Sequence, residues 1–402
     1  MQVFALGILV VQIAERDGVP QLAPFYLGLT GLARAIPGLA FTLIAGAVAD
    51  RVDRRRILFI TQTTMAVNAG LLAVLAYAGM ANLAWVLVAA AIQSAAFAFD
   101  NPSRQSMFPR LVPMPFLHSA IGLQSAGFNA AAIVGPLLAG LLYLPIGVPG
   151  LLAANALSFL AILGALAVLP SMPPAARASQ SLLGAVAEGG RYVRANPVLV
   201  WILTVSGTVF VVAGPASALL PALAGESLFN GMSWLALLLT AMGAGSFCGA
   251  LAVMNAGRVR SLGTIFVGAA IVNGLFLVLF AITTQPLVAL VFAFLTGLGG
   301  TLMAGMGNNM LQATTNEAYR GRVMSVWSLL FIGIMPVGQL ALGALGSIFG
   351  IQAALAIGGL LALAAGVYAA VRVPVLREWR APSRKVSVAS APTMPVGQPT
   401  FR

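Results

Sequence analysis

The chain has 402 residues, of which 60% are hydrophobic and 7% are charged, and its formal net charge is +12. A soluble domain carries about 25% charged residues, so this composition excludes a soluble globular protein and indicates a membrane protein. The positive charge does not indicate nucleic-acid binding, because the basic residues occur in short groups between apolar runs rather than on one patch. One cysteine, Cys248, and one histidine, His118, exclude a disulfide framework and a cysteine- or histidine-rich metal centre.

Apolar runs follow one another along the chain in two sets of six. A helix needs about 20 apolar residues to cross the hydrocarbon core of a bilayer. The first set is predicted at residues 1–14, 22–49, 57–79, 83–99, 119–145 and 150–170, and the second at 198–222, 232–255, 263–283, 286–312, 323–349 and 351–371. The first run is shorter than a usual span, which predicts either a start upstream of Met1 or a short, tilted or re-entrant helix.

These spans divide the chain into four predicted parts. Residues 1–170 form an N-terminal six-helix half, 171–197 a cytoplasmic linker, 198–372 a C-terminal six-helix half, and 373–402 a disordered cytoplasmic tail. Apolar residues at helical spacing in the linker predict a short amphipathic helix on the membrane surface. Short similarities between the halves, such as those beginning at Gly46 and Gly249, indicate an internal repeat; transporters of that build place the substrate between the halves.

The basic residues predict the orientation in the membrane. With twelve spans, 19 of the 21 basic residues fall in loops or termini on one side, and only Arg16 and Arg34 fall elsewhere. Loops rich in arginine and lysine lie on the cytoplasmic side. We therefore expect a multi-pass protein of the cytoplasmic (inner) membrane with both termini inside the cell.

The densest charge cluster occupies residues 50–56, where two aspartates and four arginines lie between two spans. Topology alone would explain the arginines, but acidic residues contribute little to topology. Asp50 ends the second span, where a carboxylate can meet the positive N-terminus of a neighbouring helix. Such a contact, made in one conformation and lost in the other, is what a conformational gate requires. Asp100 and Arg104 flank a proline on the same side and either join this gate or form an ordinary helix-ending turn.

The fifth predicted span is rich in glycine. Gly127, Gly135 and Gly140 allow neighbouring helices to approach closely, and packing alone would explain any one of them. The step from Gly135 to Pro136 removes a backbone hydrogen bond and favours a kink.

Few residues inside the spans can contact a polar substrate. Arg34 is the one strongly charged residue deep in a span, and it either binds an acidic substrate or extends toward lipid headgroups. Asn129 is a second candidate contact, although most uncharged polar residues in spans bridge helices. No acidic residue falls at the middle of a span, and Asp100 and Glu226 are the weak candidates for a proton carrier.

Three motifs resemble those of major facilitator transporters. The loop 46–56 follows the pattern G-x-x-x-D-R-x-x-R-R, the fourth span ends in Asp100-x-Pro-x-Arg104-Gln, and Gly321-Arg322-Val-Met-Ser enters the eleventh span. Together the three motifs are similar to those of the branch that contains the enterobactin exporter and macrolide efflux pumps, and the last two motifs are the more specific for it. The resemblance implies an all-α membrane protein with the major facilitator fold, in which two six-helix halves contribute twelve transmembrane helices.

The resemblance also implies roles for particular residues. Asp50 would contact the start of the eleventh span near Arg322 and stabilise the outward-facing state. Arg51, Arg54 and Arg55 would link to Asp100 at the end of the fourth span. The Gly135–Pro136 step resembles a motif of antiporters that export their substrate.

From these implications we expect a secondary active exporter that works by alternating access and proton antiport. Its substrate would be a small amphipathic molecule, either siderophore-like or a lipophilic drug. We expect a monomer without cofactor or metal, and not an enzyme.

Three other functions remain open at this point. The same fold could import a small metabolite, which would be favoured by ionisable residues at the middle of the membrane. A membrane-embedded lipid-modifying enzyme would need clustered acids to hold Mg²⁺, and the close pair Asp50 and Asp53 is crowded by arginines. A transport-inactive scaffold is the third. The sequence lacks the G-x-x-x-x-G-K-[ST] motif of nucleotide-binding loops, which disfavours ATP as the energy source.

Overall fold

The computed structural model describes residues 2–49, 51–113, 116–170, 182–225, 232–255 and 261–380. Throughout these ranges the regular secondary structure is helical. The helices are α1 (Gln2–Arg16), α2 (Ala23–Ala49), α3 (Arg54–Tyr77), α4 (Leu83–Leu111), α5 (Leu117–Val168), α6 (Leu182–Arg194), α7 (Pro197–Val212), α8 (Ala216–Gly225), α9 (Met232–Asn255), α10 (Leu262–Ile282), α11 (Pro286–Thr314), α12 (Arg320–Leu329), α13 (Met335–Phe349), α14 (Ile351–Arg372) and α15 (Pro374–Arg377).

Eight helical stretches in the described ranges are long and apolar enough to cross a membrane: Arg54–Tyr77, Leu83–Arg104, Leu137–Val168, Pro197–Leu223, Trp234–Asn255, Leu262–Ile282, Pro286–Thr314 and Ile351–Arg372. The other predicted spans are also helical. They correspond to α1, α2, the first part of α5, and α12 with α13. The short first run forms the 15-residue helix α1, and most of its side chains are buried.

Helix α5 contains two of the predicted spans. A continuous helix of its 52 residues would measure ~78 Å, far more than a bilayer thickness. The break is at Gly147, whose φ of 61° lies in the left-handed region that favours glycine. The break therefore lies between the predicted spans 119–145 and 150–170, whereas the backbone stays helical through Gly135 and Pro136, where the sequence favoured a kink.

The surface of the bundle is apolar. On α3, Ile60, Val67, Leu71 and Val74 are all at least half exposed and recur at helical spacing. In water such a face would be unfavourable, but in a bilayer it contacts lipid chains. The exposed face therefore agrees with a helix packed on one side against protein and on the other against lipid.

The bundle has two distinguishable ends. The end that carries the 51–56 loop is called the arginine end, and the α5 terminus at Leu166, helix α6 and the start of α12 also lie there. The opposite end is called the distal end. There the Arg16 guanidinium donates hydrogen bonds to the carbonyl oxygens of Gly79 and Ala81, at 3.2 and 2.8 Å, which ties α1 to the turn between α3 and α4.

A polar bridge recurs in both sets of helices. The Asn68 amide on α3 donates to the Ala89 carbonyl on α4 at 2.9 Å, and the Asn273 amide on α10 donates to the Thr296 carbonyl on α11 at 2.9 Å. Both asparagines are buried. Equivalent helix pairs held by equivalent bonds are what an internal repeat would produce.

Candidate functional site

The charged loop at the arginine end is organised by the start of α3. Asp53 caps this helix, and its carboxylate accepts a hydrogen bond from the Arg55 backbone N–H at 2.8 Å. The Arg55 guanidinium donates to the carbonyls of Leu166 and Ala167 at 2.8 and 2.7 Å. Arg55 therefore satisfies carbonyls at the C-terminus of α5, rather than linking to the end of α4 as the resemblance implied. Arg51 is exposed and Arg54 is buried.

Asp100 is buried at the point where α4 approaches α3. Its carboxylate accepts hydrogen bonds from Thr61 Oγ1 at 3.2 Å and Gln62 Nε2 at 2.6 Å. Its second oxygen accepts from Arg104 Nε at 3.1 Å and Nη2 at 2.7 Å. The helix continues past Pro102 to Leu111, so Asp100 and Arg104 lie one turn apart within α4 and not at its end.

Helix α6 of the linker packs against α12. Arg322 Nε lies 2.8 Å from Glu188 Oε2, and Gly189 packs directly against the Arg322 backbone carbonyl. The rings of Tyr192 and Tyr319 stack with centroids 4.6 Å apart. Arg322 is thus held by the linker helix in this structure. Its expected partner, Asp50, lies outside the described residues.

At the distal end, α2 packs closely on α13. A Cβ added to Gly28 would lie 2.9 Å from Leu340 Cα, and one added to Gly343 would collide with the Pro24 carbonyl. Gln339 Nε2 donates to the Leu27 carbonyl at 2.8 Å. Backbone contact of this kind requires glycine, so these residues join the N-terminal and C-terminal helices at the distal end.

The glycines of α5 differ in their surroundings. Gly140 packs against Ala236 of α9, which is a second contact between the two sets of helices. Gly127 is exposed and has no atom within 4 Å of an added Cβ. Gly135 is half-buried. The side chains of Asn129 and Pro136 lie outside the described residues.

Arg34 lines a small cavity between the two sets of helices. The cavity measures about 30 Å³ and is bounded by α1, α2, α4, α8 and α13, with Thr30 and Gln339 among its polar residues. That volume is sufficient for about one water molecule. Arg34 therefore lies beside the inter-helix interface, and the space next to it is too small for a substrate in this conformation.

A larger cavity of about 520 Å³ lies among the C-terminal helices. It is lined by residues of α7–α11 and by Met335, and every lining residue the structure describes is uncharged. The interruption between α7 and α8 lies on its wall, at Ala213 and Gly214. Irregular backbone at membrane depth is tolerated where it lines a cavity. Met335 directly follows a π-helical turn, Leu330–Ile334, a feature frequent at functional sites.

Sequence reasoning did not single out several residues that the structure brings into these contacts. Thr61 and Gln62 lie two turns after Arg54 on α3, and both are buried. Two adjacent polar residues inside an apolar span were the sequence feature that could have indicated their contact with a charged residue. Glu188 was visible only as one charge of an amphipathic helix. Asn273 was one of many polar residues in spans, and nothing local distinguished it.

The family model for transmembrane secretion effectors matches residues 19–395. The chain belongs to this family of major facilitator transporters. The assignment confirms the family resemblance and the all-α major facilitator fold predicted from the sequence.

Several curated relatives match most of this chain. The multidrug efflux pump Tap of Mycolicibacterium fortuitum is 28% identical over 360 residues, covering 87% of each chain. Macrolide efflux protein A of Streptococcus pyogenes is 23% identical and covers 82% of each chain. The enterobactin exporter EntS of Shigella boydii serotype 18 is 22% identical, covering 97% of this chain and 94% of its own.

Solved structures share the fold at low sequence identity. A POT family transporter in complex with 5-aminolevulinic acid superposes with a TM-score of 0.69 at 13% identity, covering 93% of this chain and 94% of that one. The nucleoside transporter NupG gives a TM-score of 0.65 at 14% identity, covering 91% and 95%. The family places the chain among multi-pass membrane transporters, and the solved structures share its fold.

Proposed function

We propose that this secretion effector exports small amphipathic molecules, siderophore-like or lipophilic drugs, across the cytoplasmic membrane by alternating access. The observation that carries the proposal is the closure of the distal end by α2 and α13, next to cavities inside the bundle. The relatives that match more than 80% of this chain are named as drug, macrolide and enterobactin exporters. The functional unit is a single chain in the lipid bilayer.

The orientation follows from the arginines. Most described arginines lie at the arginine end, whereas Arg16 lies at the distal end. Under the positive-inside rule the arginine end faces the cytoplasm, with both termini inside. The distal contact of α2 with α13 then closes the outer face, and this conformation is the one that would load a molecule from the cytoplasm.

The gate at the arginine end would operate by exchange of partners. In the present conformation Arg322 pairs with Glu188 of the linker helix. In the outward-facing state, Asp50 would meet the start of α12 beside Arg322 and close the cytoplasmic side. The network of Asp100 with Arg104 and Gln62 would hold α3 and α4 together as the loop between α2 and α3 moves.

Inward proton flow is the proposed driving force. A proton-coupled exporter needs a carboxylate that can exchange a proton during the cycle. Asp100, which is buried, and Glu226, which lies outside the described residues, are the two candidates for that carboxylate.

The test uses inverted membrane vesicles that contain the full chain. A proton gradient is imposed, and its dissipation is followed as siderophores and lipophilic drugs are added one by one. We expect substrate-dependent proton release with the native chain and its loss in Asp50→Asn. Glu378→Gln removes an exposed carboxylate at the same end and should leave transport unchanged. Normal efflux by a well-expressed Asp50→Asn variant would contradict the gate, and no proton release with any substrate would contradict proton antiport.

A further inference from the structure

The 520 Å³ cavity of the C-terminal helices has the size of a drug-binding pocket. Its apolar lining includes Phe210 and three methionines, Met242, Met303 and Met335. Methionine side chains are flexible and polarisable, so they adapt to apolar groups of different shapes. A charged group in this cavity would have no counter-charge from the described lining residues and would be costly to desolvate.

One polar atom in the wall of the cavity lacks a partner. Asn273 is 4% exposed, and its Nδ2 donates to the Thr296 carbonyl at 2.9 Å. That bond sets the orientation of the amide and leaves Oδ1 as the remaining acceptor. Oδ1 is buried and accepts no hydrogen bond from any described residue. Leaving a buried acceptor unpaired is unfavourable, so the position favours a ligand that supplies a donor.

Access to Asn273 depends on a small residue. A Cβ added to Gly300 on α11 would lie 3.0 Å from Asn273 Nδ2, and Gly300 itself lines the cavity. Because Gly300 has no side chain, the Asn273 amide is not crowded on this side. Asn68 makes the equivalent bridge in the N-terminal helices, and what distinguishes Asn273 is its place on the cavity wall and its unpaired Oδ1.

We propose that this cavity binds the uncharged, apolar part of the exported molecule and that Asn273 Oδ1 accepts a hydrogen bond from a hydroxyl or N–H group on that part. The inference rests on the proposed export function and adds a substrate class to it. It assigns the cavity to neutral, donor-bearing ligands, and it separates this site from the small cavity beside Arg34.

The experiment compares two probes that differ in one donor, 1-naphthol and 1-methoxynaphthalene. Their binding to the full chain in nanodiscs is measured by equilibrium dialysis, with empty nanodiscs subtracted for partition into lipid. A net hydrogen bond of about 1 kcal/mol corresponds to roughly fivefold in affinity. We expect the native chain to prefer 1-naphthol by about that factor and Asn273→Leu to lose the preference while binding the ether unchanged.

Two further variants keep the test decisive. Asn68→Leu removes the matched bridge away from the cavity and should retain the preference for 1-naphthol. Gly300→Ala leaves Asn273 in place but crowds its amide, and should reduce the preference even if Asn273→Leu does not fold. Equal binding of both probes by the native chain, a preference that survives Asn273→Leu, or a loss that Asn68→Leu shares would overturn the inference.

The binding result is independent of the vesicle assay. Proton-coupled efflux without dependence of donor preference on Asn273 would overturn this inference and leave the proposed function standing. A donor preference that depends on Asn273, with no proton release in vesicles, would support the site and contradict the coupling.

Discussion

Asp100 shows how a buried charge is accommodated in this bundle. The carboxylate is 1% exposed and receives four hydrogen bonds from three side chains. Arg104 balances its charge, but 42% of the arginine side chain remains exposed. The acid therefore depends on its neighbours more than the arginine does, since removal of a partner from a buried charge costs more than removal of a solvated group.

This asymmetry predicts different effects of two substitutions. Asp100→Ala should lower the free energy of unfolding by about 1–3 kcal/mol, because it leaves the buried Gln62 amide donor without its acceptor, whereas Thr61 still donates to the Leu58 carbonyl. Arg104→Ala should cost more, about 3 kcal/mol or above, because it leaves the buried Asp100 carboxylate without its counter-charge. Thermal unfolding of the purified chain in one detergent measures both. A larger loss of Tm for Asp100→Ala would show that the hydrogen bond from Gln62 contributes more to stability than the charge balance with Arg104.

Arg55 makes a second prediction at the residue scale. Its guanidinium donates to two carbonyls at the C-terminus of α5, whereas Arg56 beside it is exposed. Hydrogen bonds that involve a charged group contribute about 1.5–3 kcal/mol, so Arg55→Ala should lower Tm clearly and Arg56→Ala should have little effect. Equal Tm values for the two variants would mean that the bonds to Leu166 and Ala167 contribute nothing to stability.

At the scale of elements, α2 and α13 meet through glycine. The Phe25 backbone N–H donates to Ser347 Oγ at 3.1 Å, and Gly28 and Gly343 bring the two backbones together. Nearer the middle of the bundle, a Cβ on Gly333 would lie 3.5 Å from Leu39. The contact between these helices is therefore sensitive to any added side-chain volume.

We predict that Gly28→Leu opens the distal end. The added side chain cannot fit against Leu340, so the equilibrium should shift toward the outward-facing conformation. The reporter is Ser347→Cys in a Cys248→Ser background, labelled from outside with a membrane-impermeant maleimide. Labelling should increase roughly tenfold, which corresponds to a shift of ~1.4 kcal/mol between the two states.

The matched control is Gly164→Leu, because Gly164 is exposed and has no atom within 4 Å of an added Cβ. It should leave the labelling rate of Ser347→Cys unchanged. Unchanged labelling in Gly28→Leu as well would mean that the contact of α2 with α13 does not control access to the outer face.

At the scale of the whole molecule, the linker helix α6 joins the two halves in the chain and contacts Arg322, a residue of the proposed gate. It lies between the N-terminal and C-terminal helices in the chain and holds Arg322 through Glu188. If Arg322 changes partners during the cycle, its substitution should be more harmful than that of Glu188.

A charge exchange tests this partner change. We expect Glu188→Gln to reduce efflux modestly and Arg322→Gln to abolish it. The double variant Glu188→Arg with Arg322→Glu should restore the ion pair without restoring efflux, because a glutamate at position 322 would repel Asp50. Vesicle transport measures all three. Recovery of efflux in the double variant would show that Glu188 is the one partner that matters for Arg322.

The sequence by itself determined the membrane class, the helical fold and the family. Each of these follows from properties that act within one segment: apolar length, charge between spans, and short motifs such as those at residues 46–56 and 321–325. The sequence also indicated that Gly140 allows neighbouring helices to pack closely, and it does contact Ala236. The break in α5 at Gly147 also falls between two predicted spans, whereas the kink expected at Pro136 does not interrupt the helix, since a proline in a long membrane helix is tolerated when neighbouring helices satisfy the backbone.

Only the tertiary structure decided which residues meet. Arg55 reaches residues more than 110 positions away in the chain, Arg322 pairs with the linker, and Asn273 lines a cavity formed by five helices and Met335. Hydropathy and spacing report how one helix sits in a bilayer, but they carry no information on which helix lies beside it. Partner choice and cavity shape depend on the packing of the whole bundle, and so they appear only when the helices are assembled.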